Sequence, residues 1–260
     1  MSAPRWSPPR RLVALGQAAD PSVVSHLVTA AGEMDGVVIR PSAHAGAVLA
    51  GLPRVPVLAV LPDLAQLLRD VADRGAARAA GSRLVAGGVS VSWRLARTGL
   101  RHLRDLARQD FRGILPLLIE LERARAGRAT PDGVALAAPL TDLLFAAGYA
   151  ECFAHLVSFL RRSGMRAGFE TENLGHLLAR LASWDVAPDF VIGPLNPRGF
   201  RMKPTAAEVL EAVARGATPV LASDLTAGGT VPLADAAAYA HQHGAAGVIV
   251  SLAELAAQAS

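Results

Sequence analysis

Eight short apolar runs, most of them ending in a polar residue and followed by a helical pattern, constrain this chain more than any other feature. They occupy residues 12–15, 36–39, 56–61, 134–138, 165–169, 190–192, 219–222 and 247–250. Runs rich in Val, Leu and Ile without strict polar alternation belong to strands buried on both faces of a parallel sheet. Eight of them alternating with helices predict an α/β chain folded as a (β/α)8 TIM-like barrel, with an open doubly wound sheet as the alternative. The 260 residues suit one such domain, which typically takes about 250.

Helix punctuation supports the alternation. Asp20-Pro21 offers an N-cap with proline at the first helical position, and Thr205-Ala-Ala-Glu208 and Ser251-Leu-Ala-Glu254 both have capping-box spacing. Residues 1–11, MSAPRWSPPRR, read as a flexible N-terminal arm, leaving 12–260 as a single barrel domain. Between the third and fourth runs, residues 64–133 exceed what one crossover helix needs and are expected to form a helical insertion or lid. Helices are predicted there over 63–74, 93–108 and 114–126. On the middle one, Trp93, Ala96, Leu100, Leu103 and Ala107 make an apolar stripe, beside a ridge of Arg94, Arg97, Arg101, Arg104 and Arg108.

Several function classes are disfavoured. Cys152 is the single cysteine, so neither an intramolecular disulfide nor a cysteine-pair metal site is available, which suits a reducing cytoplasm. Thr141, Asp142, Glu151 and His155 interrupt the apolar region 134–160, arguing against a membrane span. The net charge of +4 is modest, and the arginine ridge lacks interleaved aromatics for base stacking, so no nucleic-acid partner is expected. The ridge fits a cover over the barrel mouth or a contact between identical subunits. No G-x-G-x-x-G or Walker sequence is present, Tyr149 and Tyr239 look helical, and His241 and His243 lie together at a helix end. Neither an organic cofactor nor a metal is expected.

In a barrel of this type the chemistry lies at the carboxyl ends of the strands. That rule selects Glu170, Lys203 and Asp224 as catalytic candidates and Gln17, Arg40, His44, Asn173, Asn196 and Ser251 as substrate-binding ones, with Asp63 and Asp142 also at strand ends. Glu170 follows Phe169, and an apolar wall can fit a carboxyl for proton transfer by raising its pKa. The alternative is a structural pair with Arg40 or another arginine. Lys203, the only lysine, suits a substrate carboxylate or phosphate, or an imine, unless it is an exposed loop residue. Asp142 beside Thr141 reads as part of a helix cap. Gly228-Gly229 and the helix beginning near Ser251 occupy the places where barrels bind phosphate through backbone amides, although Asp224 would oppose an anion there.

Three segments, PLLIELERARAG, GFETENL and PLNPRGFRMKP, resemble a little-characterised group of microbial barrel proteins. The tail, PVLASDLTAGG followed by GAAGVIVS, is distantly similar to the last two strands of aldo-keto reductases. The resemblance implies a barrel, with Glu170, Asn173, Asn196 and Lys203 inside the resembling segments. The reductases' catalytic tyrosine and lysine have no counterparts on matching strand ends. The expectation is an enzyme acting on a small anionic, carbonyl-containing metabolite by acid/base chemistry, of lyase or isomerase type. A non-catalytic barrel binding a ligand or protein partner is the alternative, and an aldo-keto-type oxidoreductase the third reading.

Overall fold

The computed structural model describes residues 6–15, 34–40, 54–63, 110–123 and 131–259, with positions 49, 69, 72, 73, 93, 95 and 97–99. Gln17, His44 and all of the arginine ridge except Arg97 lie outside the described residues. Eight strands close into a barrel in sequence order, every neighbouring pair parallel. They are β1 (Arg11–Leu15), β2 (Gly36–Ile39), β3 (Val57–Leu61), β4 (Gly133–Leu136), β5 (Arg166–Glu170), β6 (Phe190–Pro194), β7 (Val220–Ser223) and β8 (Gly247–Ser251). The described helices are α1 (Phe111–Arg123), α2 (Ala138–Ala146), α3 (Ala150–Arg162), α4 (Leu174–Ser183), α5 (Ala206–Ala214), α6 (Leu233–Gln242) and α7 (Leu252–Ala259).

Strand periodicity of two divides the apolar residues into two cores. Val37, Ile39, Ala167, Phe169, Val191, Val248 and Val250 face the helices, where Phe169 meets Phe153 of α3 with ring centroids 4.8 Å apart. The alternate positions Leu12, Val38, Leu58, Val60, Ala135, Phe190, Ile192, Leu221 and Ile249 fill the barrel interior. The same inward phase, carried one step further, delivers Arg40, Glu170, Ser223 and Ser251 to the mouth. Position in the pleat thus decides which strand-end residues can meet a ligand.

The opposite end is sealed by packing. Phe190 lies across the interior where β5 carries Gly168, and a Cβ there would stand 2.4 Å from the ring. Trp6 tilts against Phe190 at 5.8 Å, and Arg166 lies 5.7 Å from the Trp6 ring centroid. Pro9 is buried, and its carbonyl passes so close to Gly247 that only a residue without a side chain fits. Residues 6–11, expected in a flexible arm, therefore form part of the barrel's floor, because the indole covers an aromatic that would otherwise face water. Three aspartates immediately before strands pin this end. Asp35 accepts from the amides of Arg10 and Arg11, Asp132 from Val57 and Asp189 from Ala167.

Several expected boundaries shift. β4 ends at Leu136 and α2 starts at Ala138, with Pro139 in its first turn. Thr141 is consequently inside the helix, its hydroxyl donating to the Leu136 carbonyl at 2.9 Å, and does not cap it. Helix α1 begins earlier than expected, at Phe111. Trp93 is 70% exposed, so it does not belong to a buried stripe. Among the described residues, no helix is long and apolar enough to cross a membrane.

Candidate functional site at the barrel mouth

A cavity of about 1400 Å³ opens at the carboxyl ends of the strands. Its floor is apolar, made by Ala14, Val38, Val60, Ile192 and Ile249, and its polar rim includes Arg40, Glu170, Ser223, Asp224, Ser251 and Glu254. An apolar floor with a few convergent polar groups is the usual form of a small-molecule site.

Glu170 ends β5 and is held from two sides. The Arg40 guanidinium, from just beyond β2, donates to Oε1 at 2.7 Å, and the backbone N–H of Ala138, at the start of α2, donates to Oε2 at 3.1 Å. The two contacts, one on each oxygen, fix the plane of the carboxylate. The apolar wall expected from Phe169 is absent, since Phe169 points into the helical layer. Arg40 remains 39% exposed at its side chain, with further N–H donors directed by the same pairing.

Asp224 lies just past β7. Its backbone is left-handed, φ 51, and so is that of Arg201, φ 59, conformations that cost a residue with a Cβ about 1 kcal/mol or more. The two meet: Arg201 Nη1 is 3.3 Å from Asp224 Oδ2, and Arg201 Nη2 is 2.7 Å from Glu172 Oε2. Burial raises the Asp224 pKa; Arg201 opposes that shift, while Glu254 and Glu170 add to it. Glu172 is raised for the same leading reason, burial, again against the pull of Arg201 and with support from Asp224, Asp142 and Glu170. One guanidinium thus serves two carboxyls in a crowded acidic surrounding.

The remaining candidates separate. Ser251 lines the cavity. Asn196 is fully buried and exchanges both amide groups with Phe200, donating from Nδ2 to the carbonyl and accepting at Oδ1 from the N–H, each at 2.9 Å. It shapes the loop after β6 and has no side-chain group turned to the cavity. Asn173 precedes α4 without a side-chain capping bond and does not line the cavity. Lys203 is exposed and likewise outside the lining; its backbone carbonyl accepts from Gly175. Asp142 accepts from the Thr171 hydroxyl and the Glu172 N–H, bracing the loop after β5 in place of the expected cap role.

Arg201 and Glu254 were not among the expected site residues. The signal for Arg201 was its place in GFRMKP, two positions before the conspicuous lysine. Glu254 was visible only as the second half of a capping box. Among the described residues, no group of three His, Cys, Asp or Glu side chains is arranged to hold a metal ion.

No protein-family model matches the chain, and no curated protein does. Solved structures do. Gox0644, determined in its apo form, aligns over 96% of this chain and 82% of its own, with 13% identity and a TM-score of 0.54. An aldo/keto reductase from Brucella melitensis aligns over 96% and 87%, with 9% identity and a TM-score of 0.51. QR15, an aldolase, aligns over 98% and 94%, with 13% identity and a TM-score of 0.47. The likeness to Gox0644 and to the Brucella reductase is one of fold alone, the TIM barrel that this chain forms. The barrel implied by the tail's similarity to aldo-keto reductases is matched as architecture, and fold alone does not carry a reaction with it.

Proposed function

We propose that the barrel mouth is the active site of an enzyme that moves a proton on a small carbonyl-containing metabolite, an isomerase or lyase in type, without an organic cofactor. Asp224 is the acid/base. Arg40, oriented by Glu170, takes up the substrate's carboxylate and the charge that develops on its carbonyl oxygen. The observation that carries this reading is Asp224 itself: a part-buried carboxyl at a strand end, on a strained backbone, facing the same cavity as Arg40, with its pKa moved up toward the range useful for proton transfer. Glu170 is assigned positioning in preference to proton transfer because Arg40 and the Ala138 N–H occupy both of its carboxylate oxygens.

The balance of such a step is simple. The carboxylate of Asp224 removes a proton alpha to the carbonyl, the electron pair moves into an enolate, and Arg40 hydrogen-bonds the oxygen that receives the charge. Return of the proton to the opposite face of the same carbon completes an epimerisation. Where that carbon carries a hydroxyl, transfer of the hydroxyl proton to the former carbonyl oxygen and return of the carbon-bound proton to the former carbonyl carbon complete an isomerisation. Expulsion of a leaving group, with its electron pair, from the next carbon completes an elimination.

Exchange of alpha protons for deuterium, followed by proton NMR over a panel of small 2-oxo and hydroxy-oxo acids, tests this directly. At least one compound should exchange faster with the protein than without it. Asp224→Asn should slow that exchange by about 100-fold or more, and Arg40→Gln should act mainly on the substrate concentration needed. If no compound exchanges, or Asp224→Asn exchanges as fast as the parent protein, the assignment is wrong.

A further inference from the structure

The cavity wall formed by β7, β8 and the start of α7 contains an anion already. Glu254 turns its carboxylate back toward the strand ends, and four donors converge on it. The Thr226 N–H and hydroxyl reach Oε1 at 3.2 and 2.8 Å, and the Ser251 N–H and hydroxyl reach Oε2 at 2.8 Å each. Each hydroxyl is also used in the other direction. Ser251 Oγ accepts from the Glu254 N–H and Thr226 Oγ1 from the Gly229 N–H, both at 3.2 Å. A surface capping box needs only the Ser251 half of this arrangement; the two Thr226 bonds come from another loop and tie it to the helix.

These donors lie where barrels of this architecture hold phosphate, in the loop after the seventh strand and at the N-terminus of the helix after the eighth. A carboxylate and a phosphate oxygen make the same demands on such donors. We infer that Glu254 is a specificity residue, a built-in anion that fills the phosphate position of this barrel and restricts the active site to substrates without a phosphate or pyrophosphate group. Asp224 reinforces the exclusion, because it lines the same wall and Glu254 already acts electrostatically on it. A phosphorylated ligand would have to displace Glu254 and then sit among carboxylates. Among the described residues that line the cavity, the cationic side chain is Arg40, whose planar guanidinium and pairing with Glu170 suit a single carboxylate. The inference rests on the proton-transfer reading for the word substrate, but the blocked position is a property of the wall itself.

Inorganic phosphate is the probe. Phosphorus-31 line broadening and thermal unfolding are followed against phosphate concentration at constant ionic strength for the parent protein, Glu254→Ala, Glu254→Gln and, as a control on the other capping box, Glu208→Ala. The parent protein and Glu208→Ala should show no saturable binding. Glu254→Ala should gain saturable affinity, about tenfold or more tighter than the limit that the parent titration sets, the worth of one charge-assisted hydrogen bond. Glu254→Gln, which keeps the shape and loses the charge, should fall between. Saturable phosphate binding by the parent protein that perturbs the Thr226 and Ser251 amides overturns the inference, as does a folded Glu254→Ala with no gain. If Glu254→Ala does not fold, the parent titration and Glu254→Gln decide alone. A parent protein that exchanges no alpha proton yet excludes phosphate refutes only the proposed reaction. One that exchanges protons and binds phosphate at these amides refutes only the role of Glu254.

Discussion

Two helices of this barrel begin with the same four-residue pattern, and the structure uses them differently. At α5, Thr205 accepts from the Glu208 N–H and donates to the Glu208 carboxylate at 2.6 Å, and both residues are exposed. At α7, Ser251 and Glu254 make the corresponding contacts, and the carboxylate additionally takes both donors of Thr226 on the neighbouring loop. The first box ends a helix in water. The second joins two loops and becomes a wall of the cavity. The difference comes from what lies opposite the third helical residue: solvent beside α5, the turn after β7 beside α7. A capping motif therefore tells where a helix starts, while its energetic weight depends on the neighbour that tertiary structure brings to it.

The sharpest way to break this comparison is to remove the two carboxylates in turn. Glu254→Ala leaves four donors without their acceptor, two of them on buried Thr226, and should cost about 2–3 kcal/mol. Glu208→Ala removes an exposed contact and should cost under about 1 kcal/mol. Since 1 kcal/mol shifts Tm by about 2–4 °C in a chain of this size, thermal unfolding resolves the two. Equal losses would mean that the Thr226 contacts add nothing.

A smaller effect separates the hydroxyls. Thr205→Ala should cost about 1 kcal/mol, the usual worth of a single N-cap. Ser251→Ala should cost about 1–2 kcal/mol, because its hydroxyl also helps to hold the carboxylate that Thr226 needs. In the double variant Ser251→Ala with Thr226→Val, the losses should add to less than their separate sum, since both act through Glu254. Strict additivity in denaturant melts would show that the two loops are stabilised independently.

The same local-versus-tertiary distinction explains what could be read from the chain. The eight strands were legible because apolar runs of Val, Leu and Ile have no other economical fate in an alternating pattern, and both capping boxes were legible because their geometry is local. The strand-end rule selected Arg40 and Glu170, which both line the cavity, and a structural pair of Glu170 with Arg40 or another arginine was one of two stated possibilities. Lys203 stood out by rarity, which says nothing of direction; it is exposed, and Arg201, two positions earlier, makes the cross-loop contacts. Asn196 looked like a hydrogen-bond donor for ligand, but the loop consumes both ends of its amide. Trp6 was assigned to an arm because its proline-rich surroundings suggest one, and its partner Phe190 is remote in sequence. Arg201 and Trp6 act through contacts between distant segments, on which local pattern is silent, whereas Asn196 is taken up within its own loop, four residues away.

The smallest expected effect is on pH dependence, and it extends the comparison to charge. Glu254, unlike Glu208, is among the groups that push up the pKa of Asp224, after burial and against the opposing pull of Arg201. A carboxyl whose folded pKa is above its unfolded value binds its proton more tightly when folded, so it contributes stability that is full below the ordinary aspartate value of 3.8 and is lost as pH rises through the folded value. Asp224→Asn has no such proton. The stability of the parent protein relative to Asp224→Asn should therefore be greatest in acid, decline as pH rises from that ordinary value through the folded one, and be flat above it. Arg201 limits the decline, and partial exposure screens it. Repeating the pair of measurements in a Glu254→Gln background should shrink the decline, because one of the charges raising Asp224 is gone; in a Glu208→Gln background it should be unchanged. Denaturant melts across acid to neutral pH, with carbon-13 NMR of the aspartate carboxyls to locate the titration, make the check. A decline of the same size in both backgrounds would place Glu254 outside the electrostatic surroundings of Asp224, and an increase in stability with pH would reverse the sign on which the acid/base assignment depends.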